Sequence, residues 1–321
     1  MKHLKTLDLI IDVARTGSIR RTAERLNIAP SALTRRIQDF EFELGTPVFE
    51  RVPQGMRPNA AGELVIRHAL DQASDLERLR SRIADLSGVR RGHVSIACSQ
   101  AFADNFMPDE IAAYRARHPL VSFTLHARDH AHAVSALVAY EADLALILQP
   151  PPAPELRALH SCDEPLCALM GADHPLAGPG PVRLRDCLRF PIAMPDRSLA
   201  IRHLLDAAVV RRSLAVQVAV ESGSLEFLRN FVRREHVVSF QVPSGIPADD
   251  AGLRARPLDE RDLAPTRIVL AQLRGRSLSV ATAKFADQVS NSLDRRQGPA
   301  PKTSAPPGAA ALLLNPTEPP M

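Results

Sequence analysis

Ser31, Thr34, Arg35 and Gln38 carry the most informative chemistry in this 321-residue sequence. At that spacing they share the outer face of one helix. Hydroxyl, guanidinium and amide groups are the side chains that read base edges, and a major groove admits a single helix. Arginines surround the face: Arg20, Arg21 and Arg25 precede it, Arg36 lies beside it, and Arg51 and Arg57 follow. Guanidinium groups there would hold phosphates while the helix reads bases. A solvated helix in a small bundle would show the same polar face. The short turn before the helix and the arginines at both ends favour double-stranded DNA.

The elements that must position this face can be read locally. Ser18 is an N-cap for a helix over 18–26, with Ile19, Ala23 and Leu26 on one side. Asn27 and Ile28 mark a turn. Pro30 starts the next helix where its missing N–H costs nothing. Leu33, Ile37, Phe40 and Leu44 point that helix inward, and Gly45 stops it. A preceding helix over 4–15 carries Leu4, Leu7, Ile11 and Ala14 on one stripe. After Gly45 the chain extends over 47–51, turns at Pro53-Gln54-Gly55 and returns over 56–58. This is a two-stranded wing whose Arg51 and Arg57 can touch phosphate. Asn59 then caps a long helix over 60–86. Its seam of Leu64, His68, Asp75, Leu79, Ile83 and Leu86 is only partly apolar, which predicts pairing with a second copy. Arg90-Arg91-Gly92 is a hinge.

From His93 strands and helices alternate, the texture of an α/β sheet. Strands are expected over 94–98, 121–127, 144–148, 166–170, 190–194, 215–220, 237–242 and 268–273. Helices are expected over 105–118, 131–141, 198–210, 225–233 and 279–293. Two lobes with two crossings would make a hinged cleft. The predicted organisation is therefore 1–58 for the helix-turn-helix and wing, 59–89 for the linker helix and 90–293 for a two-lobed domain. Lobe I takes about 93–160 and 267–293, and lobe II about 161–266. A Pro-, Gly- and Ala-rich tail over 294–321 is expected to be disordered.

Composition excludes several classes. The net charge of +4 allows an acidic partner. Aromatics make up 4% and Trp is absent, which disfavours stacking of single-stranded bases. No run of 18 apolar residues occurs, so no membrane partner is expected. Asp8 and Asp12 interrupt the apolar N-terminal stretch, which reads as an amphipathic helix of a cytoplasmic protein rather than a signal peptide. Four cysteines without a paired framework fit a reducing compartment. Cys162 and Cys167 read as buried, inert thiols on opposite faces of an extended segment. His126, His130 and His132 match no metal-ligand spacing. No nucleophile elbow, Walker loop or paired-carboxylate signature occurs, so neither catalysis nor a cofactor is expected.

The stretch SIRRTAERLNIAPSALTRRIQDFEFELGTPVFER resembles the LysR-type transcriptional regulators, with ELGTPVFER its most specific part. AAGE at the start of the long helix agrees. So do Pro108, His118-Pro119, Asp143-Leu144-Ala145, His174-Pro175-Leu176 and RGRSLSVATAKF in the second half. The resemblance covers about residues 1–293. It implies a winged helix-turn-helix, a dimerising linker helix and a periplasmic-binding-protein-like effector domain. Such proteins typically form homodimers or homotetramers on dyad-like promoter sites, tuned by a small molecule, with RNA polymerase as a candidate further partner.

Carried over residue by residue, the family's base and phosphate contacts fall on Pro30, Ser31, Thr34, Arg35 and Arg51. Its effector cleft falls on Ser99 and Gln100, on the end of the strand over 144–148 including Ile147, on the stretch from Pro195 to Arg202, on Ser222 to Ser224, and on Phe240. Ser99 and Gln100 would sit at a helix N-terminus, where free N–H groups favour a carboxylate. The chain also departs from the family pattern. Ala29 replaces the usual capping hydroxyl, at a cost of about 1 kcal/mol. Pro30 stands in a frequent glutamine's place, and Pro58-Asn59 replaces a common Leu-Thr. Glu235 to Ser239 occupy a segment that is often glycine-rich. A solute-binding module or an interlobe enzyme are the rival readings. The helix-turn-helix argues against the first, and the lack of a catalytic constellation against the second.

Overall fold

The structure, a computed structural model, describes residues 2–53, 55–86, 92–247 and 250–296. The expected tail from 297 onward, residues 87–89, and Arg90 and Arg91 of the expected hinge lie outside the described residues.

Helices α1 (Lys2–Thr16), α2 (Ile19–Arg25) and α3 (Pro30–Leu44) pack around one small core and are closed by the hairpin of β1 (Phe49–Val52) and β2 (Gly55–Pro58). The Ser18 side chain accepts from the Arg21 amide at 3.4 Å, so α2 begins with its cap satisfied. Gly45 ends α3 at φ 78°, a left-handed position that costs glycine nothing. Ile10, Val13, Ala23, Leu33, Ile37 and Val48 are buried together.

The expected α1 stripe is corrected in part: Leu7 is buried as expected and the Leu4 side chain lies outside the described residues, but Leu9, Ile10 and Val13 enter this core, while Ile11 and Ala14 are only half-buried. The helix packs against α2, α3 and the long helix that starts at Ala60 at once, so its apolar arc is wider than a single stripe. Leu44 is also corrected. It is 45% exposed, because α3 runs past its last core neighbour before Gly45 turns the chain.

Helix α4 (Ala60–Leu86) starts from Asn59, whose Oδ1 accepts the Gly62 amide at 2.9 Å. Leu64, Leu79 and Ile83 on it are exposed.

The second half folds into two lobes, one around a five-stranded sheet and the other around a three-stranded and a two-stranded sheet. In lobe I, β3 (Gly92–Ser99), α5 (Gln100–Ala103), α6 (Phe106–Arg117), β4 (Val121–Arg128), α7 (His130–Val138), β5 (Leu144–Leu148) and β6 (Leu156–Glu164) follow in order. In lobe II come β7 (Cys167–Gly171), α8 (Leu184–Cys187), β8 (Ile192–Pro195), α9 (Ala200–Arg211), β9 (Val218–Ser222), α10 (Leu225–Val232), β10 (Ser239–Gln241) and β11 (Leu253–Pro257). The chain then returns to lobe I as β12 (Thr266–Leu273) and α11 (Val280–Arg296).

Lobe I has the strand order β4-β3-β5-β12-β6, parallel among β4, β3 and β5 and antiparallel around β12. In lobe II, β10-β7-β11 and β8-β9 are joined by a bridge between Ile192 and Val238. The crossings fall at 165–166 and 258–265.

Two strands escaped the sequence reading. β6 and β11 are edge strands with one covered face, and their Arg-, His- and Asp-bearing sequences lack the run of β-formers that marks a central strand. The lobe boundary drawn at 160 falls inside β6, which pairs with β12 as far as Glu164 opposite Thr266. The tail boundary drawn at 294 likewise falls inside α11, which continues to Arg296.

Candidate nucleic-acid interface and effector cleft

α3 presents its polar face to solvent. Pro30, Ser31, Arg35, Arg36 and Gln38 are exposed and Thr34 is half-buried. Ala29 holds the N-cap position without a side-chain bond, and Pro30 follows it. The Ala29 carbonyl accepts the Ala32 and Leu33 amides at 3.0 and 3.2 Å, so only the Ser31 amide lacks a cap among the described residues at the exposed start of α3. The Thr34 hydroxyl donates to the Pro30 carbonyl at 2.9 Å, so its proton is committed and its oxygen and methyl remain for readout.

The arginines divide into two groups. Arg20 is bonded to Glu24 at 3.1 Å, and Arg25 to Asp12 at 2.5 Å. Arg21, Arg35, Arg36, Arg51 and Arg57 are exposed and have no acidic partner among the described residues. Uncompensated guanidinium groups around one helix face concentrate positive charge where a phosphate backbone would lie. Arg51 sits opposite Met56 and Arg57 opposite Glu50 in the wing.

Between the lobes lies a cavity of about 10 Å³, room for at most one water molecule. Ser99, Gln100, Ala101, Arg128, Asp129 and Leu148 line it from lobe I, and Leu199, Ala200, Ile201 and Leu225 from lobe II. Of the residues expected in the cleft, the structure brings Ser99 and Gln100 to it. The Ser99 oxygen accepts the Leu148 amide at 3.0 Å and ties β3 to the end of β5.

Ile147 does not line the cavity. It is buried among Ala97, Ala133, Ala136 and Leu137 under α7, while its neighbour Leu148 faces the cleft. Alternate residues of a strand face opposite ways, so a one-residue choice decided this. Phe240 is fully buried in the main core.

Arg202 is committed to structure. It donates to Asp206 at 2.8 Å, Glu221 at 2.8 Å and the Pro195 carbonyl at 3.1 Å. Its pKa is raised chiefly by the Glu221 hydrogen bond. Pro195 itself is buried in β8. The Ser222 oxygen accepts the Ser224 amide, and the Ser224 oxygen accepts the Phe227 amide, each at 3.1 Å. These two serines build the start of α10.

Leu199, Ala200 and Ile201 fall inside the expected stretch from Pro195 to Arg202, whereas sequence reasoning missed Arg128, Asp129 and Leu225. The signal for Arg128 and Asp129 was available: β4 runs parallel to β3, and in such sheets ligands sit beyond the carboxyl ends of the strands. On one side of the cavity polar contacts join the lobes. Arg229 reaches Asp104 at 3.3 Å, Asn105 donates to the Gly245 carbonyl at 2.7 Å, and Glu164 accepts the Ser244 amide at 3.0 Å and its hydroxyl.

All four cysteines are free and buried. Burial pushes the Cys98, Cys167 and Cys187 thiols up to about 12, which leaves them without thiolate at neutral pH. Cys162 and Cys167 lie on separate strands, β6 and β7, not on one extended segment. His132 is bonded to Asp129 at 2.7 Å. No helix among the described residues is long and apolar enough to cross a membrane.

Known proteins share both halves. The profile of the bacterial regulatory helix-turn-helix protein, lysR family, matches residues 4–63, and that of the LysR substrate binding domain matches residues 87–294. HTH-type transcriptional regulator CbbR of Xanthobacter flavus is 27% identical over 270 residues, 84% of this chain and 81% of the relative. A full-length OxyR variant from Pseudomonas aeruginosa superposes with TM-score 0.65 at 20% identity, over 89% of this chain and 94% of that one. Full-length CbnR in complex with its target DNA superposes with TM-score 0.56 at 17% identity, over 90% of this chain and 99% of that one. At such identities these two structures share the fold.

Proposed function

The chain belongs to the LysR family of bacterial DNA-binding transcription regulators, and on that premise we propose how its own residues divide the work. Arg35, Ser31, Thr34 and Gln38 on α3 read bases in a major groove. Arg21, Arg36, Arg51 and Arg57 hold the flanking phosphates, with Arg20 contributing less because Glu24 shares its charge. The observation that carries this reading is the exposed polar face of α3, flanked by Arg21, Arg36, Arg51 and Arg57, which have no acidic partner among the described residues.

The exposed Leu64, Leu79 and Ile83 of α4 support pairing of linker helices into a homodimer, and two dimers into a homotetramer. A dimer places two α3 helices one DNA turn or a multiple apart, on a dyad-like site. RNA polymerase is the partner that a promoter-bound activator of this kind would touch.

The small-molecule effector enters between the lobes, against Ser99, Gln100 and Arg128. At about 10 Å³ this cavity is too small for more than one water, so a larger effector would have to move its lining side chains or the lobes apart. The effector then acts through its differential affinity for the two arrangements. Footprinting on the intergenic DNA beside the chain's own gene tests the DNA reading. Protection of a dyad-like site is expected, and no protection at low salt with folded oligomer in hand would sink it. A thermal-shift screen of small carboxylates and aromatics on the full chain tests the effector reading.

A further inference from the structure

The wing root is held from two sides. On one side, Glu41 of α3 turns its half-buried carboxylate toward the start of β1. Its Oε1 accepts the Val48 amide at 2.8 Å and the Phe49 amide at 3.4 Å. On the other side, the Val48 carbonyl accepts the Asn59 amide at 3.1 Å, and the Asn59 side chain donates to the Pro47 carbonyl at 2.9 Å. Asn59 also caps α4. Gly62 of α4 passes so close that a Cβ there would lie 2.0 Å from the Val48 oxygen. The Val48 side chain is fully buried in the helical core. Val48 is thus the point where recognition helix, wing and linker helix meet, and Arg51 lies three residues beyond it.

A carboxylate on a DNA-reading helix repels phosphate. Glu41 keeps one there, one turn beyond Gln38, and its two bonds are made to backbone amides that α3 and the hairpin leave without another acceptor. Losing them would leave the wing root to water. Resting on the DNA-binding reading above, we infer that Glu41 is a positioning residue for DNA binding: through the Val48 and Phe49 amides it fixes the wing's angle to α3, and so places Arg51 on the phosphate backbone. Glu41 itself touches no DNA in this arrangement.

The test uses the full-length chain with Glu41→Ala, Glu41→Gln, Arg51→Ala and the Glu41→Ala/Arg51→Ala pair. The probes are a duplex of the intergenic DNA beside its own gene and a scrambled duplex of equal length. Glu41→Ala should bind both duplexes about tenfold more weakly, the scale of one lost charged contact. Its salt slope should fall by about one per protomer, as for Arg51→Ala. Adding Arg51→Ala to Glu41→Ala should cost little more, because the contact is already lost. Glu41→Gln, which keeps an acceptor and drops the charge, should bind at least as well as the parent. If Glu41→Ala bound as tightly as the parent, or the two single losses multiplied in the pair, the assignment would be overturned.

Amide hydrogen exchange provides a readout without DNA, and so separates this inference from the DNA-binding reading. Val48 and Phe49 should exchange faster in Glu41→Ala than in the parent while Ile37 stays protected. Unchanged exchange at Val48 would overturn the inference even if the parent binds its promoter. Should the parent bind no DNA at all, the regulator reading fails on its own, and faster exchange would still support Glu41 as the anchor of the wing.

Discussion

The Tyr140 hydroxyl donates a hydrogen bond to the Asp71 carboxylate at 2.7 Å, joining the effector domain to the linker helix across 69 residues of sequence. Tyr140 sits just after α7, at φ 58°, a left-handed conformation that a tyrosine adopts only when its surroundings hold it. The Arg276 guanidinium lies 5.0 Å over its ring and is itself held by Asp143 at 2.6 Å and the Ala142 carbonyl at 3.0 Å. The opposite end of α7 begins at Asp129, on the cavity between the lobes. One short helix thus spans from the cleft to the linker.

Double-mutant analysis of Tyr140→Phe and Asp71→Asn should return a coupling of about 0.5–1.5 kcal/mol by urea denaturation, at the low end because the pair is exposed. Zero coupling would show that this contact does not hold the two domains together. Burial and the Asp71 carboxylate push the Tyr140 hydroxyl from its usual 10.0 up to about 12. The folded state therefore favours the protonated phenol. Its stabilising effect should be complete below pH 10 and disappear as pH rises toward 12, which a denaturation series with and without Tyr140→Phe would read.

Substitutions on the two DNA-facing elements should separate specificity from affinity. Arg35→Ala should lose about 1–3 kcal/mol of discrimination between promoter and scrambled duplex. Arg51→Ala should weaken both duplexes alike and lower the salt slope by about one. Equal loss on both duplexes for Arg35→Ala would contradict its assignment to base readout.

Gly62→Ala should destabilise the N-terminal domain by about 1–3 kcal/mol, since its methyl would collide with a backbone oxygen that cannot move aside. Thermal unfolding of the full chain would show this as a loss confined to the helix-turn-helix transition. A Tm unchanged within error would mean that α4 can shift away from the wing root.

Asp262 anchors lobe II. Its carboxylate is almost fully buried and accepts from Arg183 through two bonds of 2.8 Å, from the Leu184 amide at 2.8 Å, and lies 3.2 Å from Arg212. The Arg183 hydrogen bond, first among several causes, holds its pKa below the usual 3.8. A depressed carboxylate stabilises the fold above its unfolded pKa, so this contribution should be present above about pH 4 and lost as pH falls further. Asp262→Ala should cost about 1–3 kcal/mol, because it removes the acceptor of the buried Leu184 amide and of two half-buried guanidinium groups. A near-neutral result by urea denaturation would mean that Arg183 finds another acceptor.

The DNA-facing half was legible because it is written in local rules. Helical spacing put Ser31, Arg35 and Gln38 on one face, Ser18 and Asn59 could be read as caps, and Gly45 as a stop. The α/β texture of the second half was equally visible in its central strands, such as Leu144–Leu148. What tertiary structure alone decided depends on partners far away in sequence. The pleat turned Ile147 under α7 and Leu148 toward the cleft. Glu221 and Asp206 drew Arg202 into the fold, and the packing of the lobes leaves room for at most one water between them. Edge strands β6 and β11 formed because a neighbour was there to pair with, not because their sequences demand a strand. Glu41 shows the limit most clearly: nothing in its type or its place on the helix points to the wing, until folding brings the Val48 amide within 2.8 Å of it.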